Sequence, residues 1–178
     1  MKLAITVGVC VVAASVLAPV ATADPPPFPD LSDFHAVNAR DYETYATYGI
    51  QGVQFATPGG YRCRMDTNFK ASRQMVDCWG ALPGTAQNHV GLITQSKQTT
   101  AAMLSDVDLS SMEQYDFRPS EGPSGVIDPK DYKPLAPHNK VSYAGFTCGV
   151  DPVTTACESD DPSSQHGFVL SPQGSRTF

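Results

Sequence analysis

The chain predicts a small, mostly β domain stapled by disulfides. Its antiparallel strands would form a sandwich or barrel-like sheet with a long irregular middle loop. Three observations carry this expectation. Short runs of alternating apolar and polar residues recur from Ile50 onward, turn-forming clusters of Gly, Pro, Asp and Ser separate them, and four cysteines fall inside or beside such runs.

The chain opens with Met1 and Lys2, an apolar stretch from Leu3 to Val16, and Ala21-Thr22-Ala23. A short positive end, an apolar middle and an A-x-A site are the parts of a secretory signal, so residues 1–23 are expected to be removed. Pro19 and Asp24-Pro25-Pro26-Pro27 follow the apolar run, where a spanning helix would need about 20 apolar residues. Cys10 lies inside that run and would be lost with it. The expected division is a signal at 1–23, a Pro-rich extended leader at 24–30, and one β-rich domain at 31–178.

Loss of the leader, whose one charge is Lys2, shifts the formal net charge from −6 to −7. An acidic chain without a basic cluster speaks against nucleic acid and anionic membrane surfaces, because both demand concentrated Lys and Arg. Export implies an oxidising compartment, and the four remaining cysteines, Cys63, Cys78, Cys148 and Cys157, form an even set. They fall into two tight groups, which favours Cys63 with Cys78 and Cys148 with Cys157. A four-cysteine zinc site would need paired C-x-x-C spacing, which is absent.

Taken in order, Leu31–Tyr48 fits a short helix or an irregular aromatic-rich segment, with Ser32 as a candidate N-cap and Gly49 as its end. Val53 and Phe55 alternate with Gln54 and Ala56, Thr57-Pro58-Gly59-Gly60 is a turn, and alternation resumes through Tyr61–Met65. Met75–Trp79 reads as the partner strand, placing Cys63 and Cys78 as cross-strand neighbours with Trp79 packed against their bridge. Arg62 and Arg64 fall on the face opposite Cys63 and are expected to meet solvent. His89–Thr94 is a further strand, and Ala101–Leu104 is a helical turn or a strand.

Residues 105–137, rich in Ser, Asp, Pro and Gly, read as a surface loop pinned by Tyr115, Phe117 and Tyr132. Lys140–Val150 alternates, Asp151–Thr154 turns, and Thr155–Glu158 returns, so Cys148 and Cys157 would staple a second hairpin. Gly167–Ser171 is a strand and Arg176–Phe178 a final extended piece.

These residues carry a resemblance. Phe55-x-Thr57-Pro58-x-Gly60-x-x-Cys63 is followed by Cys78 and Gly80-x-Leu82-Pro83-Gly84. Leu135 then precedes Gly145-x-x-Cys148, Cys157, His166-Gly167-Phe168-x-x-Ser171 and Phe178. The chain resembles a group of small exported actinobacterial proteins, mycobacterial ones included, for which no function is defined. The resemblance covers most of residues 50–84 and 135–178. It implies export and a cysteine-stapled β domain, and it carries over no catalytic residue.

Chemistry-bearing clusters are few. His166 lies near Asp160, Asp161, Ser163 and Ser164, but no G-x-S-x-G elbow accompanies it. Asp160, Asp161 and His166 lack calcium-loop spacing, and His35, His89 and His138 are far apart. Neither a catalytic set, a cofactor nor a metal is therefore expected. Tyr42, Tyr45, Tyr48 and Tyr61 form the candidate binding surface, with packing as the alternative. The functional expectation is an exported, monomeric, non-enzymatic domain that binds a protein or cell-wall ligand, free of nucleic acid and membrane. The alternative is a wall hydrolase using His166 and an acidic neighbour.

Overall fold

A computed structural model describes residues 28–47, 49–115 and 125–178, with backbone alone for 44–47 and 115. The expected signal and most of the Pro-rich leader lie outside these residues. In chain order the elements are β1 (His35–Ala36), β2 (Glu43–Thr47), β3 (Ile50–Ala56), β4 (Arg62–Asn68), β5 (Arg73–Trp79), β6 (His89–Gln95), β7 (Gln98–Thr99) and β8 (Met103–Ser105). A single helical turn α1 (Leu109–Met112) follows, then β9 (Gln114–Tyr115), β10 (Gly125–Val126), β11 (Asn139–Tyr143), β12 (Phe146–Val150), β13 (Thr155–Ser159), β14 (Gly167–Ser171) and β15 (Gly174–Thr177).

The strands form two main sheets. One runs β2-β3-β4-β5-β6-β7, with β8 also paired to β6, and the other runs β1-β11-β12-β13-β14-β15. Pairing is antiparallel within both except for the short β1–β11 contact. The two sheets face one another across a shared core, with a smaller cluster of Leu31, Ala156 and Val169 apart from it, so the fold is an open sandwich and not a closed barrel. Antiparallel hairpins with one apolar face give this outcome, because each sheet must bury that face against another layer.

Strand alternation decides the core. Val53 and Phe55 from β3, Cys63 and Met65 from β4, Val76 and Cys78 from β5, and Val90 and Leu92 from β6 all point inward. They meet Val141, Phe146, Cys148, Val150, Cys157, Phe168 and Leu170 of the second sheet. Cys63 is bonded to Cys78 and Cys148 to Cys157, the sequential pairing expected. Each bridge joins residues directly opposite on adjacent strands, and both lie in the same core.

Several expectations are corrected. Trp79 follows Cys78 immediately, so the two-residue strand period sends its ring to the outer face, away from the bridge. The stretch Lys140–Val150 is two strands, since Ala144 and Gly145 turn the chain with positive φ. The 31–48 segment is built from 3₁₀ turns and short strands, and its first N-cap is Asp30, which accepts from the Ser32 amide. Ala101–Leu104 leads into strand β8, so the middle region carries more order than a plain loop. Within it Glu113, Tyr132 and Leu135 are buried, whereas Phe117 lies outside the described residues.

Two further contacts close the sandwich. Ser175 donates to the Pro83 carbonyl through both its amide and its hydroxyl, each at 2.8 Å. A Cβ on Gly84 would stand 2.9 Å from the Gly174 Cα, so Leu82-Pro83-Gly84 needs glycine at its last position for this close approach.

Removing a bridge should cost stability through the entropy of the unfolded chain. Closing loops of 15 and 9 residues is worth about 3 kcal/mol each in the chain-entropy estimate. Replacing both cysteines of either pair by Ala is expected to lower the urea midpoint by a matching amount. An unchanged midpoint would show that the bridges are not what holds the hairpins.

Candidate functional site

Two polar groupings occur on opposite faces of the first sheet, and both follow from strand register. On the outer face, the row Arg62–Trp79–His89–Ser105 lies beside the row Gln54–Arg64–Asp77–Gly91, with Asp66 of β4 in the next row. This face is covered by Met112, Glu113 and Tyr132. Glu113 is its centre: Oε1 accepts from Trp79 Nε1 at 2.9 Å and from Arg62 Nε, and Oε2 accepts from the Tyr132 hydroxyl. Arg64 donates to the Met112 carbonyl and lies over the Trp79 ring, 5.1 Å from its centroid. The expectation that Arg62 and Arg64 face solvent is thus corrected, because Glu113 and Met112 come down over them. Burial and the bond to Glu113 push the Tyr132 phenol upward, so it stays a proton donor.

In the same layer His89 Nε2 lies 3.0 Å from Asp77 Oδ1 and His89 Nδ1 lies 2.8 Å from Ser105 Oγ. Gly91 makes room for this chain, since a Cβ there would stand 2.5 Å from Asp77 Oδ1. Asp66 Oδ1 and Asp77 Oδ2 are buried without hydrogen-bond partners among the described residues. Burial, then the neighbouring Asp77, raise the Asp66 carboxyl to about 6, against the opposing pull of Arg73 and Arg64.

The second grouping lies on the core-facing side. Thr67, Gln74, Thr94 and Thr99 are direct cross-strand partners on β4, β5, β6 and β7, one register step beyond the apolar row Met65–Val76–Leu92. Where the polar row begins, the sandwich opens into a cleft of about 740 Å³. Its rim comes from both sheets: Asn68 at the end of β4 with Phe69 and Ser72 in the turn to β5, Ser96 and Lys97 between β6 and β7, Ala144 and Gly145 between β11 and β12, and Ser159 at the end of β13 with Asp160 and Asp161 after it. Ser72, Ser96, Lys97 and Ala144 have positive φ, which costs a non-glycine residue about 1 kcal/mol or more. Such outliers concentrate where function constrains the backbone.

The sequence-derived candidates are distributed differently. Tyr42 and Tyr61 are buried and take the packing alternative, Tyr42 meeting Phe55 edge-on at 6.5 Å. Only the backbone of Tyr45 is described, and Tyr48 lies outside the described residues. His166 is exposed, with Nδ1 3.2 Å from the Phe178 carbonyl. Asp161 is occupied by the Ser163 hydroxyl and amide, whose bonds hold its carboxyl below the usual range. Among the described residues no group of three or more His, Cys, Asp or Glu side chains is placed to hold a metal. The polar row was the signal that sequence reading missed: Thr67, Gln74 and Thr94 are each two positions from a core residue and keep its facing.

No protein-family model, curated protein or solved structure matches the chain.

Two stability measurements check the outer layer. Glu113→Ala would strip partners from Trp79, Tyr132 and Arg62, and a loss of about 3 to 5 kcal/mol is expected from two buried donors and a partly buried guanidinium left without their acceptor; a loss below about 1 kcal/mol would rule out Glu113 as the centre of the network. For Asp66 the folded carboxyl holds its proton more tightly than the unfolded one, whose pKa is 3.8. Its burden is therefore absent below about pH 4, grows up to about pH 6, and is constant above. Asp66→Asn is expected to stabilise the protein at pH 7 by about 2 to 3 kcal/mol and to converge with wild type near pH 4. Parallel curves of unfolding free energy against pH would overturn this.

Proposed function

We propose that the chain is an exported binding domain of the cell envelope, with the cleft between the hairpin tips as its ligand site. The observation that carries this reading is the core-facing polar row Thr67–Gln74–Thr94–Thr99. A sandwich interior is ordinarily filled with apolar side chains; here Thr94 and Thr99 share a hydroxyl–hydroxyl bond of 2.9 Å, and Thr67 and Gln74, in register beside them and without a side-chain partner among the described residues, supply the convergent polar groups of a binding pocket. Tips carried on a rigid scaffold are also where recognition is usually placed.

Export is supported by the leader-like first 23 residues and by two disulfides buried in the core, which form and persist in oxidising compartments. Among the described residues no helix is long and apolar enough to cross a membrane. Likeness to exported actinobacterial proteins gives the envelope as the setting to test first.

The second reading, a hydrolase, now rests on Ser105, His89 and Asp77 in place of His166. A serine hydroxyl in reach of an imidazole that is oriented by a carboxylate is the arrangement that activates a nucleophile. Those residues also satisfy one another inside a covered layer, and they lie on the opposite sheet face and at the other end of β6 from the cleft.

The mature, oxidised protein is expected to sediment with isolated actinobacterial envelopes, and Gln74→Ala combined with Thr94→Val should release it while the cooperative thermal transition is kept. Equal sedimentation of wild type and variant, or no sedimentation of wild type, would reject the cleft as the site. Covalent labelling of wild type by a fluorophosphonate, lost in Ser105→Ala, would instead establish the hydrolase.

A further inference from the structure

Resting on the reading of the cleft as a ligand site, we infer that its occupant is a neutral saccharide chain, with a sugar ring stacked on Phe69 and hydroxyls met by the hairpin-tip side chains.

The donor and acceptor chemistry is the first argument. Thr67, Ser72, Gln74 and Ser96 line the cleft and have no side-chain hydrogen-bond partner among the described residues. Hydroxyls and amides that both donate and accept match the hydroxyls of a sugar, which do the same. Asn68 already has its side-chain oxygen engaged by the Lys70 and Ala71 amides, which fixes its position at the rim.

Charge supplies the second argument. Lys97 is the only cation of the lining, set against Asp160 and Asp161, and the whole chain is acidic. Such a cleft has no excess of positive charge with which to hold an anionic polymer. Asp160 and Asp161 are also turned to local duties, accepting from Thr147 and from Ser163. A peptide is the less suitable neutral occupant: extended peptides gain affinity by adding a strand to a free sheet edge, whereas this cleft runs across the ends of hairpins.

Phe69 is the third. It is 61% exposed in a lining otherwise made almost wholly of polar and small residues. A single exposed aromatic is unremarkable by itself. At the lip of a polar cleft it offers an apolar ring face to the C–H face of a sugar, leaving the sugar's hydroxyls to the neighbouring side chains.

Backbone strain links these features. Gln95 and Gln98 are paired, so Ser96 and Lys97 form a two-residue turn in which both φ values are positive, 51° and 67°. Turns of this type strongly favour Asn-Gly. Ser96 and Lys97 carry that cost in strain where they line the cleft, which is intelligible if their side chains contact the ligand.

The test uses the oxidised mature protein and isolated envelopes treated in two ways before sedimentation. Periodate, which cleaves vicinal diols of sugars, is expected to abolish binding, and exhaustive protease digestion is expected to leave it intact. Phe69→Ala should weaken binding at least tenfold without moving the melting temperature. Ser96→Asn combined with Lys97→Gly should raise the melting temperature and weaken binding at least threefold. Binding that resists periodate, or that protease removes, overturns the saccharide and assigns another class of ligand to the cleft. Unaltered binding by Phe69→Ala overturns the stacked ring. If wild type does not sediment with untreated envelopes, or the Gln74/Thr94 variant sediments as well as wild type, the cleft itself fails as the site.

Discussion

The register of β4 against β5, locked where Cys63 stands opposite Cys78, is the constraint from which the rest of the first sheet follows. In a strand, successive side chains leave opposite faces, so a slip of one residue would exchange the two faces throughout. With the bridge inside the core, Met65 and Thr67 must face inward and Arg64 and Asp66 outward. One covalent bond thereby decides which charges require a cover and which polar residues end up along the opening between the sheets. Partners on β3 and β6 inherit the same parity through their own pairing with β4 and β5.

An outward face bearing Arg62, Arg64, Asp66 and Asp77 would ordinarily be left to water. Here it is roofed, and burial of charge is tolerable only when each group finds a partner. Glu113 answers Arg62, Trp79 and Tyr132 at once, which ties Glu113 and Tyr132 to the outer face of the sheet although neither lies in a long element. The cover is incomplete over Asp66 and Asp77, each with one oxygen unpartnered among the described residues, and the raised Asp66 carboxyl is the electrostatic consequence of its burial beside Asp77. Layers of this kind contribute specificity of arrangement more readily than net stability.

Much of the fold was legible because it is local. Alternation at 53–56, 61–65 and 75–79, the turn at Thr57–Gly60 and the spacing of the cysteines identified the strands and both staples. Nothing in those patterns reported the cover, since Glu113 reaches Trp79 across 34 residues and Arg62 across 51. That is why Arg64 read as solvent-facing and Trp79 as a neighbour of the bridge. Two-residue turns of unfavourable composition were also hard to see: Ala144-Gly145 and Ser96-Lys97 lack the Asn-Gly signature, so Lys140–Val150 read as one run. The aromatic set at Tyr42 and Tyr61 misled for a related reason, because composition marks aromatic content and not which side of a sheet receives it. The polar row Thr67–Gln74–Thr94 could have been found by carrying each hairpin's register one step past its last apolar pair.

The two ends of β4–β6 have been specialised in opposite directions, and this separation bears on function. Toward Trp79 and His89, side chains are interlocked by hydrogen bonds to Glu113, Asp77 and Ser105, and a new contact there would first have to break an existing one. Toward Asn68, Arg73 and Gln95 the sheet ends in exposed turns, several of whose polar groups are uncommitted and whose backbone includes positive φ values without glycine. A ligand arriving at the first end must displace partners, whereas one arriving at the second meets Thr67, Ser72, Gln74 and Ser96, whose side chains have no hydrogen-bond partner among the described residues. Favourable binding needs the second situation, because desolvated polar groups that lose partners subtract from affinity. The Ser105 hydroxyl is engaged with His89 in the resting protein, so the proposed recognition is better supplied by the open hairpin tips than by that layer.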